Sequence, residues 1–467
     1  MISEGTIIAN SSAPGSAAIS VIRLSGEDSI KIVDSFFKPK NNVKLIDAKS
    51  HTVNLGILND GKERIDEVLV SVFKSPKSYT GENLVEISCH GSNYIQEKIL
   101  KLFIENNVTL AKPGEFTLRA FLNKKLDLTQ AEAVADLIKS DTQAAHEIAL
   151  NQMRGGYSKE VKNLRSQLLN FASLIELELD FSEEDVEFAD RNELNNLLDK
   201  IETKLRVLID SFSYGKAIKN GVPVAIIGKP NSGKSSLLNK LLNENKAIVS
   251  DIPGTTRDLI EDTLTINGIQ FRFIDTAGLR KSNDKIESIG ISKAIEVAQK
   301  AKIILYLIEA NDNDNDTIKE DFKSFNSENV IIIPIFSKID LEDKNEKNTV
   351  IYQKNKIKAG LDLTSSIEIS IFDDSTIRNL KEHLFIRTSN LKSSSNRTIV
   401  SNVRHYSIMR DSLKSIKNIK KGLKNQLSGD LLSVDIKQAL NSLGEITGEI
   451  TNEELLGNIF KNFCIGK

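Results

Sequence analysis

The stretch VAIIGKPNSGKSSLLNK sets Gly228, Gly233, Lys234 and Ser235 in the spacing G-x-x-x-x-G-K-S, between an apolar run and a helical one. Residues of these types at this spacing hold phosphate. Glycines let successive backbone N–H groups turn inward around phosphate oxygens, the lysine carries positive charge to the outer phosphates, and the serine hydroxyl is a ligand for Mg²⁺. Asn231, Ser232 and Ser236 complete the loop. Further on, DIPGTTRD supplies Asp251, Ile252, Pro253 and Gly254, with Thr255 and Thr256 as switch residues. FIDTAG ends an apolar run with Asp275, Thr276, Ala277 and Gly278, suited to an Mg²⁺-linked carboxylate and a backbone N–H on the γ-phosphate. IIIPIFSKID ends another with Ser337, Lys338 and Asp340. A carboxylate at Asp340 accepts from guanine N1–H and N2–H₂ together, and adenine has no such pair of donors, so the expected nucleotide is GTP. Ser337 stands where an asparagine is usual, and its shorter hydroxyl predicts weaker nucleotide binding. Ser370, followed by Ile371, is the candidate for the loop that closes over the base.

Two further positions bear on chemistry. Leu279 follows Gly278, where many GTPases carry a glutamine that orients the attacking water. Leucine has no polar atom on its side chain, so either hydrolysis is negligible or another group does that work. Glu287 is either such a group or a solvated helix charge. The tail FCIGK raises a separate question, because Cys464 is the fourth residue counted back from the last one given. Lipid attachment fits poorly: Gly466 is not aliphatic, Lys467 is an unusual final residue for such a box, and no polybasic run precedes it. A reactive thiol and a cysteine that closes the last helix both stay open.

The elements that must position these residues follow from texture. Short β-branched runs mixed with helical stretches over 1–120 predict a small α/β unit. From Thr129 the pattern is helical: Thr129 and Glu132 fit a capping box, and apolar residues recur at Val161, Leu164, Leu168, Ile175 and Leu179, then at Leu194, Leu197, Ile201, Leu205 and Leu208. Near Gly221 apolar strands begin to alternate with helices, which predicts a parallel sheet. Helical texture returns after Leu384, and Thr451 with Glu454 suggests a second capping box ahead of Leu455, Leu456, Ile459, Phe460 and Phe463. The economical arrangement is a helical domain, 121–215 and 385–467, interrupted by an α/β domain over 216–384.

Composition fits that plan. The 467 residues carry 62 basic and 64 acidic side chains, net −2, so any attraction to nucleic acid must be local. Two cysteines, Cys89 and Cys464, suit a reducing compartment. No signal peptide and no uninterrupted membrane-length apolar run is visible, which predicts a cytoplasmic protein without a membrane partner.

From end to end the chain resembles the tRNA-modification GTPases of the MnmE (TrmE) type. The segments PGSAAISVIRLSG, SYTGENLVEISCHG, KPGEFTLRAFLNKKLDLTQAEAVADLI, GKPNSGKSSLLN, SDIPGTTRDLIED, DTAGLR and FCIGK carry the resemblance in family order. It implies an N-terminal tetrahydrofolate-binding and dimerising domain, a discontinuous helical domain and an inserted Ras-like P-loop domain. It also implies a reaction. Together with an FAD-dependent partner of the MnmG (GidA) type, in a heterotetramer built on a homodimer, the family places an aminomethyl or carboxymethylaminomethyl group on C5 of the wobble uridine of certain tRNAs. The carbon comes from 5,10-methylene- or 5-formyl-tetrahydrofolate.

Residue by residue, the resemblance puts folate contacts on Arg23, Glu86, Lys125 and Lys467. K⁺ falls on Asn231, Ser250, Ile252 and Thr255, where a fixed cation offsets charge that develops between the β- and γ-phosphates. Mg²⁺ falls on Ser235 and Thr256, and the water-orienting role on Glu287. The tail then folds back onto the folate site with Cys464 near the chemistry. Arg397, Arg404, Arg410, Lys414, Lys417, Lys420, Lys421 and Lys424, with Asp411 the only acid among them, form either a solvated helix face or a phosphate-tracking surface for tRNA. The competing class is a regulatory GTPase of ribosome assembly. That reading leaves the folate motifs without a use, and no Gly-x-x-Gly loop with basic flanks lies near the C-terminal end.

Overall fold

A computed structural model describes residues 3–61, 63–180, 190–243, 262–274, 296–309, 315–325, 330–341, 366–389, 398–461 and 463–466. They form two compact units. The first comprises 1–139, 149–206 and 407–467; the second comprises 140–148 and 207–406.

The first unit starts with strands β1 (Ile7–Asn10) and β2 (Ile19–Ser25), helix α1 (Ser29–Phe36), and strands β3 (Phe37–Pro39), β4 (Thr52–Asn59), β5 (Arg64–Phe73) and β6 (Leu84–His90). Helix α2 (Asn93–Ile104) and strand β7 (Thr109–Leu110) follow. The seven strands lie in the order β3-β4-β5-β6-β2-β1-β7, antiparallel except for the β1–β7 pair. Alternation along RIDEVLVSVF explains the one-sided core: Asp66, Val68, Val70 and Val72 point inward, against α1 and α2 residues such as Val33, Ile99 and Phe103.

Helices α3 (Glu115–Leu122), α4 (Leu128–Ile138), α5 (Gln143–Met153), α6 (Ser158–Asp180) and α7 (Arg191–Asn220) come next. The cap of α4 sits two residues before the one expected. Asp127 accepts from the Gln130 backbone and Gln130 returns the bond to the Asp127 backbone, while Thr129 is already inside the helix and donates to the Asp127 carboxylate. Both Asp127/Gln130 and Thr129/Glu132 satisfy the pattern; the charged acceptor takes the free N–H.

In the second unit, β8 (Val222–Gly228) leads through the phosphate loop to α8 (Lys234–Asn243). Strands β9 (Asp262–Ile266), β10 (Ile269–Phe273) and β11 (Ile303–Glu309), helix α9 (Asn315–Phe325), strands β12 (Ile331–Ser337) and β13 (Ile367–Glu368) and helix α10 (Asp374–Ser389) complete it. The strand order is β13-β12-β11-β8-β10-β9, parallel apart from the β9–β10 hairpin. VAII in β8 and IILYLI in β11 are apolar without alternation because both faces of this sheet are covered, one by Leu237, Leu241 and Leu380, the other by Ala298, Ile318 and Phe325.

The chain ends in α11 (Val403–Lys424), α12 (Gly429–Thr447) and α13 (Glu453–Phe460). The cap of α13 is Asn452, which accepts from Leu455 N, and the expected Thr451 lies one residue ahead of it. Leu456, Ile459, Phe460 and Phe463 pack on Leu118, Phe121, Leu128 and Ala131 of α3 and α4.

Candidate functional sites

The phosphate loop joins β8 to α8. At Gly228 (φ +155°) an added Cβ would lie 2.5 Å from the Leu307 carbonyl, so the strand end approaches β11 as only glycine permits. Asn231 holds φ +63°, a conformation asparagine tolerates. Lys234 is folded over its own loop, and its Nζ donates to the carbonyls of Gly228 (2.8 Å) and Lys229 (2.6 Å). Burial holds the Lys234 ammonium below its ordinary pKa, and an incoming phosphate anion would reverse that penalty. The Ser232 hydroxyl is buried against Gly228 with no hydrogen-bond partner among the described residues. Lys234 and Ser235 open α8, so backbone N–H groups and the helix dipole favour an anion at this point. The loop fits phosphate and, through Ser235, a phosphate-bound Mg²⁺.

The base motif stands at the end of β12. Ser337 is 4% exposed, and its hydroxyl donates to the Ser232 carbonyl at 2.8 Å. The residue expected to weaken the site therefore ties the base motif to the phosphate loop. Lys338 (φ +61°) pairs with Glu309. The Asp340 carboxylate accepts from the Ser370 hydroxyl at 2.6 Å. Ser370 is thus beside the Asp340 carboxylate, held there by Thr376, whose hydroxyl accepts from Ser370 N and donates to Ser370 O.

A second site lies in the first unit. Arg23 on β2 and Glu86 on β6 are direct cross-strand partners. The guanidinium donates to Glu86 Oε1 from Nε (2.9 Å) and Nη2 (2.7 Å), and from Nη1 to the Gly466 carbonyl at 3.1 Å. Tyr79 and Phe116 each set a ring 5.6 Å from the Arg23 guanidinium carbon. The tail reaches this point by crossing α3: Gly114 N donates to the Cys464 carbonyl (3.3 Å), and the Ser11 hydroxyl to the Gly466 carbonyl (3.1 Å). Gly466 has φ +94°, and a Cβ there would be 2.5 Å from the Asn10 carbonyl. Cys464 is exposed rather than buried at a helix end. Lys125 is exposed and donates to the Pro76 carbonyl at 3.0 Å.

The structure thus brings Arg23, Glu86 and the tail together, and separately gathers Asn231, Ser232, Gly233, Lys234, Ser235 and Ser236 with Ser337, Asp340 and Ser370. Ser250, Asp251, Ile252, Pro253, Gly254, Thr255, Thr256, Asp275, Thr276, Ala277, Gly278, Leu279, Glu287 and Lys467 lie outside the described residues. Sequence reasoning missed Ser11, Tyr79 and Phe116; Tyr79 sits in the motif SYTGENLVEISCHG, which is its one visible signal. Among the described residues no group of His, Cys, Asp and Glu side chains is arranged to hold a metal on its own, and no helix is long and apolar enough to cross a membrane.

A parallel sheet with a phosphate loop between its central strand and the next helix, and an acidic base motif at a neighbouring strand end, defines a P-loop GTPase. The rest of the chain narrows the class. Residues 6–125 match the family model described as the GTP-binding protein TrmE N-terminus, and 128–464 match the MnmE helical domain. The "tRNA modification GTPase MnmE" of Flavobacterium johnsoniae is 51% identical over 474 residues, covering 100% of both chains. Proteins of the same name from Christiangramia forsetii (49% over 473 residues, 99% of each) and Bacteroides thetaiotaomicron (49% over 470 residues, 100% of each) agree. Among solved structures, Era in complex with MgGDPNP and nucleotides 1506–1542 of 16S ribosomal RNA is 25% identical, covers 42% of this chain and 66% of that one, and has a TM-score of 0.27. The chain belongs to the MnmE family: it is a GTP hydrolase that acts in tRNA modification.

Proposed function

We propose that this GTPase depends on K⁺ and works with an FAD-dependent partner of the MnmG type to place an aminomethyl or carboxymethylaminomethyl group on C5 of the wobble uridine of certain tRNAs. The observation that carries the reading is the Arg23–Glu86 pair closed by the Gly466 carbonyl. Its chemistry suits a folate: Glu86 Oε2, without a hydrogen bond among the described residues, is an acceptor for a pterin N–H edge, the half-buried Tyr79 offers an aromatic ring, and Lys125 and Lys467 are cations for a glutamate tail. A tetrahydrofolate derivative bound there supplies the one-carbon unit. Arg23 orients Glu86, and the docked tail covers one side of the pocket.

In the GTPase unit, Lys234 and the loop N–H groups bind phosphate, Asp340 reads guanine, and Ser370 positions Asp340. Ser235 with Thr256 would hold Mg²⁺; Asn231, Ser250, Ile252 and Thr255 would hold K⁺; Glu287 would orient the water that Leu279 cannot. These ions offset negative charge on the phosphates. The domain assignment that goes with this reading is 1–120 for folate binding and dimerisation, 121–215 with 385–467 for the helical domain, and 216–384 for the GTPase insert. A ribosome-assembly role would leave the pocket at Arg23 without a purpose. Nucleoside mass spectrometry tests the proposal: tRNA from cells lacking this chain should lose the C5-modified wobble uridine and regain it on complementation. Unchanged nucleosides in the deleted strain would refute it.

A further inference from the structure

Helix α11 carries seven basic side chains and one acidic one, Asp411, in a chain whose net charge is −2. Its two sides are sharply divided. His405, Met409, Ser412, Ile416 and Ile419 are buried. Arg410, Lys414, Lys417, Lys421 and Lys424 are all exposed. Their spacing of four, three, four and three residues keeps them within about 80° of one another around the helix axis, on the side turned away from the buried row. Fourteen residues at ~1.5 Å rise make this a straight row of roughly 21 Å. Asp411 is about 100° round from its centre.

The helix also sorts its lysines. Lys420, between the buried and exposed sides, is taken by Asp199 and Glu202 of α7 at 2.6 Å each. Among the described residues, no carboxylate pairs with Lys414, Lys417, Lys421 or Lys424. A helix that needed charge only for solubility would gain from alternating signs along its face, as α7 does with Glu202 and Arg206. A straight single-sign row of this length matches a run of evenly spaced phosphates instead.

We infer that the face of α11 formed by Arg410, Lys414, Lys417, Lys421 and Lys424 tracks the phosphate backbone of the substrate tRNA. The inference rests on the tRNA-modifying role of the family and adds the surface that receives the RNA. Such contacts position the RNA and carry no base readout, so they act alike on every tRNA the enzyme accepts.

The test uses the full chain, an unmodified tRNA transcript with a wobble uridine, and two fourfold variants: Lys414, Lys417, Lys421 and Lys424 all changed to Gln, or all to Arg. Glutamine keeps helix propensity while removing charge. With Gln, tRNA affinity near physiological salt should fall at least ~10-fold, and the log–log salt slope should shrink by about 3 to 4, somewhat under one unit for each of the four phosphates no longer neutralised. The Arg variant should keep both. GTP hydrolysis should stay within about twofold in each, which also reports that the chain is folded. An unchanged affinity and salt slope in the Gln variant overturns the inference. So does a Gln variant that binds tRNA normally yet fails to modify it in cells, since the face would then serve an acidic protein partner. If wild-type protein itself fails to restore modification in the deleted strain, the functional reading falls, whereas a normal wild type with an indifferent Gln variant sinks only the surface.

Discussion

The phosphate site and the tail-closed site are built on opposite plans. Residues 228–236 make the first almost alone, through a turn forced by the strand end and the start of α8, with Ser337 as one distant tie. The second joins Arg23 to a carbonyl 443 residues away, and Glu86 and Tyr79 come from still other segments. A site made of consecutive backbone groups loses function when its chemistry is removed. A site made by long-range closure loses it when the closing segment moves, even with every side chain intact.

The sharpest separation comes from disabling each site in turn. Lys234→Ala should lower GTP hydrolysis at least ~100-fold, because two or more charge-assisted bonds to phosphate, each about 1.5 kcal/mol or more, disappear. Folate binding, followed by calorimetry, should be unaffected. Deleting residues 465–467 should do the reverse: folate binding and tRNA modification lost, hydrolysis within about twofold. Loss of both activities in either variant would collapse the distinction.

A gentler lesion sharpens it. Gly466→Ala adds one methyl group where the Asn10 carbonyl leaves no room and where φ is positive. Holding such a residue costs about 1–3 kcal/mol, so folate affinity should drop roughly 5- to 150-fold while the side chains of Arg23 and Glu86 remain. Normal affinity would mean that the tail is not part of the pocket.

Smaller still is Ser337. Removing its hydroxyl in Ser337→Ala cuts the tie to the Ser232 carbonyl, worth about 1 kcal/mol, and should weaken GTP roughly fivefold. Ser337→Asn should retain the tie and add an amide for guanine, tightening binding. Equal affinity in all three proteins would show that β12 needs no tether.

The least disruptive probe is thiol reactivity. Burial, reinforced by the nearby Asp66 charge, pushes the Cys89 thiol up to about 11, whereas Cys464 is exposed. At pH 8 one thiol of the folded protein should react quickly with a disulfide reagent, and two after denaturation. Above pH 9 the unfolded chain ionises Cys89 more readily than the folded one does, so this group lowers stability as pH rises toward 11. Two fast thiols in the native protein would place Cys89 outside the core.

How much of this could be read beforehand depends on locality. The loop at 228–236, the double-covered strands β8 and β11 and the one-sided α11 announce themselves, because spacing and periodicity are set within a few turns of chain. The caps were displaced because adjacent acceptors compete: Asp127 prevails over Thr129, and Asn452 precedes the helix more closely than Thr451 does. Ser337 read as a weakness, since no single segment shows the Ser232 carbonyl waiting opposite it. The closure of Arg23 by Gly466 has no periodic signature at all; only resemblance to a family pointed there.

That closure has a consequence in time. Arg23 is translated 443 residues before Gly466, an interval of roughly 20–90 s at ~5–20 residues per second. The second unit ends at Tyr406, so its nucleotide site is fully encoded before the residues that finish the first one exist. A ribosome halted between these points would carry the whole second unit with Arg23 not yet met by Gly466. Docking of residues 464–466 on Arg23 therefore follows synthesis of the whole second unit.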